Sequence, residues 1–318
     1  MTQLPVIIDT DPGLDDALAL IIALRSPELD VVGVTTVAGN IGLSTTTRNA
    51  GRMLALLGRS DIKVVSGAAE PLRRPHLDAA EIHGGDGIGG VALPEPAAAP
   101  AGTDAVGYLR DELEKRPAGS LRIMALGPLT NIAHLILEHP ETAARAESIV
   151  AMGGAVRDRG NVTAAAEFNV WADPEAYDVV LRSGLPFVLA PLDVTRKVLA
   201  TPDWSGRLDA VGGPLAEVAA QMIRAYLANI EAMRTAKGFP EAERKATGFP
   251  LHDPCVMLHA LAPELFSIER LPLRIVCDRS DADGATVIDP ASTFFADVMT
   301  GVKSDEALAL AFDRLSRG

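Results

Sequence analysis

Short continuous apolar runs alternate along the chain with longer segments whose apolar positions recur at helical spacing. Leu4–Asp9 (LPVIID), Val31–Val37 (VVGVTTV), Ile62–Ser66, Leu121–Leu126, Ser148–Met152 and Pro186–Ala190 read as buried strands. Asp15–Arg25, Ser44–Leu57, Asp104–Lys115, Thr130–Glu138 and Pro174–Arg182 read as the helices between them. Strands apolar on both faces, each followed by a helix, predict an α/β fold with a mostly parallel central sheet and helices on both faces. The expected architecture is an open, Rossmann-like single domain over residues 1–318. Ligands on such sheets bind beyond the carboxyl ends of the strands, so polar residues there carry the functional information. Two stretches break the pattern and read as mobile loops, near 83–102 (HGGDGIGG, then PEPAAAPAG) and 235–250 (TAKGFPEAERKATGFP).

Composition narrows the class. Hydrophobic residues make up 48% and charged residues 22%, which excludes a disordered chain. The net charge of −13 argues against nucleic-acid or anionic-membrane partners and permits a cation site. The two cysteines, Cys255 and Cys277, form no CxxC pair and read as small core residues. MTQLPVIIDT lacks a basic segment leading into an apolar one, and the longest clear apolar run, Ala17–Leu24, is eight residues. A cytoplasmic setting is expected.

The chemistry concentrates after the first strand, where Asp9-Thr10-Asp11-Pro12-Gly13-Leu14-Asp15-Asp16 holds four carboxylates in eight residues. Helix capping accounts for one or two of them, with Asp11 as N-cap and Pro12 at N1. Four close carboxylates repel one another unless a cation or proton intervenes, which points to a hard-cation site. The spacing is not that of an EF-hand, since Gly13, Leu14 and Leu20 stand at the fifth, sixth and twelfth positions from Asp9. Asp9-Thr10-Asp11 after an apolar strand also fits an Asp-x-Asp phosphatase, which leaves the Asp15–Asp16 pair without a role.

DTDPGLDD, TTVAGN (35–40), EIHG (81–84), ALGPLTN (125–131), MGG (152–154), GNVTAAAEFN (160–169), DPEA (173–176) and HDPC (252–255) occur in that order. In this the chain resembles the nucleoside hydrolases of the inosine–uridine-preferring type. That resemblance implies Ca2+-dependent hydrolysis of the N-glycosidic bond of purine or pyrimidine ribonucleosides. It implies Asp11, Asp16, Asp253 and the main-chain carbonyl of Leu126 as Ca2+ ligands, with Asp11 also taking the proton of the attacking water. Asp15 and Asn169 are then expected on the 2′/3′ diol, Asn161 and Glu167 on the 5′-hydroxyl, and Asn40 beside the water. His252 suits proton donation to a leaving base, and His83 is expected near substrate. A homodimer or homotetramer is carried over in the same way.

Glu167 and Asn169 are two apart, so an extended backbone puts both on one face with Phe168 turned away. Asp253-Pro254 also reads as an N-cap and N1 pair opening a helix over Cys255–Leu261. His76, His134, His139 and His259 carry no motif. Gly85–Gly90 fits GxGxxG but follows no strand, which excludes dinucleotide binding. On the segment 221–234, Tyr226 is the single aromatic, with Asn229, Glu231 and Arg234 nearby, so a two-ring purine clamp is not expected. The preferred base stays open. So do two other functions: hydrolysis of a different ribosyl compound, and non-catalytic Ca2+-dependent ribose binding.

Overall fold

Val6 and Ile8 pack on one face of the first strand and Ile7 on the other, and all three are fully buried, as a strand covered by helices on both sides requires. In the computed structural model, which describes residues 3–317, this pattern is repeated across one large sheet. Its strands are β1 (Leu4–Thr10), β2 (Leu29–Thr36), β3 (Lys63–Ser66), β4 (Arg122–Ala125), β5 (Ser148–Met152) and β6 (Phe187–Ala190). Two short strands, β7 (Leu199–Ala200) and β8 (Phe249–Pro250), form a separate ladder. The chain then adds β9 (Phe266–Ile275), β10 (Thr286–Ile288) and β11 (Phe295–Val302).

The sheet order is β10-β9-β11-β6-β5-β4-β1-β2-β3. Neighbours from β3 to β11 are parallel, and β9 runs antiparallel to both β11 and β10. Helices Leu14–Leu24, Leu43–Leu56, Pro214–Ala236, Pro254–Leu261 and Ser304–Ser316 cover one face. Ala105–Glu114, Thr130–Glu138 and Pro174–Arg182 cover the other. The α/β expectation therefore holds. The additions are the antiparallel strands at one edge, which the pattern of continuous apolar runs does not reveal. In β9, Ser267, Ile268, Glu269 and Arg270 are exposed, so its sequence (FSIERLPLRI) never reads as a buried run.

From β1 the chain builds outward through β2 and β3, then returns to place β4 on the other side of β1. The crevice beyond β1 and β4 is thus a topological switch point. Register aligns the strand ends there: Asp9 lies opposite Thr35 and Ala125, Ala125 opposite Ala151, and Met152 opposite Ala190. The residues that follow, Asp11, Val37–Asn40, Leu126 and Gly153–Gly154, consequently emerge on one rim.

The two irregular segments dock beside that rim. Ala80–His83 forms one helical turn, and Ile88, Val91 and Leu93 behind it are buried. Asn49 Nδ2 ties the segment down by donating to Pro12 O and Asp86 O. Farther on, Ala101 N donates to Val64 O and Ser66 N to Gly102 O, which covers the free edge of β3. In the second segment Arg234 Nη1 donates to the carbonyls of Glu243 and Lys245 across an exposed turn. No helix among the described residues is long and apolar enough to cross a membrane.

Candidate active site

The helix after β1 begins two residues later than capping by Asp11 requires. Gly13 is the N-cap, and Asp16 at N3 accepts from Gly13 N at 2.9 Å. Capping therefore uses Asp16 and releases Asp11 and Asp15. Asp16 is held firmly: Oδ1 accepts from Thr10 Oγ1 (2.5 Å) and Asp11 N (3.2 Å), and Oδ2 also accepts from Asn40 Nδ2 (3.0 Å). Asp11 Oδ2 accepts from Asn40 N at 2.6 Å, whereas Asp11 Oδ1 and Asp15 Oδ1 are buried without a partner. A Cβ at Gly39 or Gly127 would collide with the Asp11 carboxylate, so the two glycines form its cradle. Asp253 stands at the N-cap of Pro254–Leu261, but its side chain makes no capping bond. Asp15, Asp16 and Asp253 each bring a carboxylate oxygen within 4.8 Å of the other two.

Burial is the largest influence on these acids, and their mutual repulsion adds to it. It lifts Asp11 well above the usual carboxylate range, with Asp16 pushing the same way. Asp253 rises likewise, through burial and then the charges of Asp15, Asp16 and Asp11. Asp15 is pushed up to about 8 by burial and by Asp16. Carboxylates with unpartnered oxygens in a closed cluster stay ionised at neutral pH only around a cation, and an all-oxygen donor set suits a hard divalent ion. The residues present fit such an ion. Asp15, expected on the ribose diol, shares this cluster with Asp16 and Asp253, while Asp11, also expected as a ligand, is not one of the three.

The ribose side differs locally from its expectation. Glu167 and Asn169 do not lie on an extended strand: Glu167 is the N-cap of the short helix Phe168–Ala172. Its Oε1 accepts from Asn169 N (3.0 Å), and its Oε2 accepts from Gly154 N (2.9 Å) and Val170 N (3.2 Å). Burial pushes Glu167 up to about 7 against those three N–H groups. Asn169 Nδ2 donates to Leu126 O at 2.6 Å, which leaves that carbonyl a second lone pair. Asn161 is exposed, its Oδ1 accepting from Phe168 N at 2.9 Å, so it stands outside the buried cluster.

His83 Nδ1 accepts from Leu14 N at 3.1 Å, which puts the imidazole proton on Nε2, and burial lowers its pKa to about 4. His252 Nδ1 lies 2.7 Å from Thr195 Oγ1, and burial followed by the charge of Arg196 lowers His252 to about 3. Its imidazolium is therefore disfavoured. The Tyr226 ring packs against Phe249 with centroids 4.4 Å apart, near enough to Asp15 to feel its charge. Gly85–Gly90 follows a helical turn, not a strand, in keeping with its exclusion as a dinucleotide site. Cys255 is buried and Cys277 half-buried. Thr195 and Tyr177 support the site and lie outside the motifs, because each acts through a partner fixed only by the fold.

A family model described as inosine-uridine preferring nucleoside hydrolase matches residues 6–309. The pyrimidine-specific ribonucleoside hydrolase RihA of Citrobacter koseri is 42% identical over 312 residues, covering 98% of this chain and 94% of that protein. A solved plant nucleoside hydrolase, PpNRh1, superposes with a TM-score of 0.90 at 32% identity over the whole of both chains. A purine-preferring ribonucleoside hydrolase from Gardnerella vaginalis gives 0.88 at 31% identity over 98% of each. With its acid cluster at the β1/β4 switch point and these matches over nearly its full length, the chain belongs to the inosine–uridine preferring nucleoside hydrolase family.

Proposed function

We propose that this ribonucleoside hydrolase releases free base and ribose with Ca2+ held by Asp11, Asp16, Asp253 and the Leu126 carbonyl, and that pyrimidine ribonucleosides are its preferred substrates. The unpartnered, buried oxygens of Asp11 and Asp15 carry the reading. When bound, the ion supplies charge neutralisation and Lewis acidity. Asp11 Oδ1 accepts the proton of the attacking water, while Asn40 holds Asp11 and Asp16 in place through its backbone and side-chain N–H groups. Asp15 and Asn169 hold the 2′/3′ diol, and Glu167 and Asn161 the 5′-hydroxyl. The surplus of negative charge favours an oxocarbenium-like sugar over the neutral ground state.

Held neutral, His252 acts toward the departing base as a hydrogen-bond donor from Nε2 when Thr195 donates to Nδ1, and His83 presents its Nε2–H beside substrate. The pyrimidine preference is supported by the 42% identity to RihA and by the single tyrosine on the helix Pro214–Ala236. The likeness to the Gardnerella enzyme favours purines as the second reading. Initial rates with uridine, cytidine and inosine, after chelation and then Ca2+ addition, decide between them. Higher kcat/KM for inosine would reverse the preference, and full activity in metal-free protein would remove the ion. A cytoplasmic homo-oligomer belongs to the same proposal, and sedimentation velocity tests its assembly.

A further inference from the structure

Tyr177, on the helix Pro174–Arg182, is 1% exposed, and its hydroxyl donates to Met152 O at 2.7 Å. A Cβ at Gly153 would collide with that hydroxyl, so the glycine after β5 makes its seat. The Met152 carbonyl also lies 3.3 Å from Asn169 Nδ2, which sits closer, at 2.6 Å, to Leu126 O. The two N–H groups of that amide thus reach two carbonyls, and the phenol shares the farther one. We propose that Tyr177 is a positioning residue: by occupying Met152 O it keeps the Asn169 amide on Leu126 O, fixing the Asn169 side chain and the Leu126 carbonyl together.

The inference rests on the proposed role of Asn169 at the ribose, and its mechanism is a competition between acceptors. A carbonyl that already accepts a strong hydrogen bond is a poorer acceptor for a second, longer one. With the phenol gone, Met152 O loses its shorter hydrogen bond and accepts the Asn169 amide more strongly, which draws that donor toward it. Asn169 then turns from Leu126 and presents a different edge to the sugar. A role confined to anchoring the helix on the sheet would leave the amide where it is.

Tyr177→Phe keeps the ring and deletes the hydroxyl. A crystal structure of this variant is expected to show Asn169 Nδ2 closer to Met152 O than to Leu126 O. In kinetics, Tyr177→Phe is expected to lower kcat/KM about five- to tenfold, the scale of one hydrogen bond, and to cause no further loss in an Asn169→Ala background. An amide that stays on Leu126 O, or an equal loss in both backgrounds, overturns the inference. If Asn169→Ala alone keeps full kcat/KM, the ribose role of Asn169 falls, and the amide position in Tyr177→Phe still decides the positioning role.

Discussion

Removing a carboxylate from the acid cluster should stabilise the cation-free protein while impairing the cation-loaded enzyme. Asp15→Asn is the sharpest case, since the Asp15 side chain is buried, leaves Oδ1 unpartnered and lies in one cluster with Asp16 and Asp253. At the 4.8 Å that bounds the cluster, each pair of full charges repels by roughly 3 kcal/mol at an effective dielectric of about 20. Asp15 answers by holding a proton, its pKa rising from 3.8 to about 8. The folded state therefore binds more protons than the unfolded one between those values. Stability of the cation-free protein falls as pH rises through that window and levels off above it. At pH 7 this amounts to about 4 kcal/mol for a lone group at ~1.4 kcal/mol per pH unit.

Proton sharing among the clustered acids spreads that cost, so we expect a gain of about 2–4 kcal/mol for Asp15→Asn in chelator at pH 7–8. An entropy of about 2.1 cal/mol/K per residue over 318 residues converts this to a rise in Tm of roughly 3–6 °C. The assay is thermal unfolding of both proteins at pH 5 and pH 8, in chelator and in saturating Ca2+. The advantage of the variant should shrink at pH 5, which lies only about one unit above the unfolded value, so most of the loss across the window is still to come. In Ca2+ the order should reverse, because the native protein binds the ion more tightly and gains more by mass action. A variant that melts below the native protein in chelator at pH 8 would refute the reasoning, for it would make Asp15 a structural carboxylate.

Chelation should abolish hydrolysis, and Ca2+ added back should restore it, followed by base release with elemental analysis of the chelated protein. If Asp15 and Asn169 hold the 2′/3′ diol, uridine should exceed 2′-deoxyuridine by about 10⁴-fold in kcat/KM, because a site built around a hydroxyl is left unpaired without it; comparable values would contradict the diol model. His252→Ala should lower kcat/KM for uridine about tenfold, the scale of a hydrogen bond, with no limb near pH 6.5 disappearing from the pH profile. A limb that vanishes in the variant would restore the imidazolium as acid. Hydrogen exchange in the 83–102 and 235–250 segments should slow when a ribose analogue binds, and unchanged protection in both would count against their acting as lids.

The β1–β6 half of the sheet was legible because buried parallel strands leave unbroken apolar runs, and the acid cluster because four carboxylates in eight residues exceed what one helix N-terminus employs. Local conformation at single residues was less legible. Glu167 is a weak N-cap by composition, and the helix it opens, Phe168–Ala172, is too short to show periodicity, so alternation suggested an extended chain. The neutrality of His252 comes from its burial and then from the charge of Arg196, and its ring partner, Thr195, is 57 residues away. Tyr177 reaches Met152 across 25 residues. Pairings of this kind are set by strand order, which sequence spacing does not encode.

Asp173 supplies an internal control for reading buried acids as a ligand site. It too is fully buried, opens a helix ahead of a proline and has its pKa raised by burial. Yet both its oxygens are satisfied: Oδ2 accepts from Thr130 Oγ1 (2.6 Å) and Leu72 N (2.9 Å), and Oδ1 from Ala176 N (3.1 Å). That is how an acid retained for the fold looks, since an unpaired buried oxygen costs about 1–3 kcal/mol. Asp9 falls between the two kinds, with Oδ2 bound by Thr35 and Asn131 and Oδ1 unpartnered, one layer beneath the cluster. Asp11 and Asp15 depart furthest: the fold has assigned their helix-capping task to Gly13 and Asp16 and left each with a bare oxygen in a closed site. Asp173→Asn should therefore destabilise the protein with or without Ca2+, whereas Asp15→Asn should do so only in Ca2+, and the pair of melting curves separates an acid kept for the fold from one kept for its ligand.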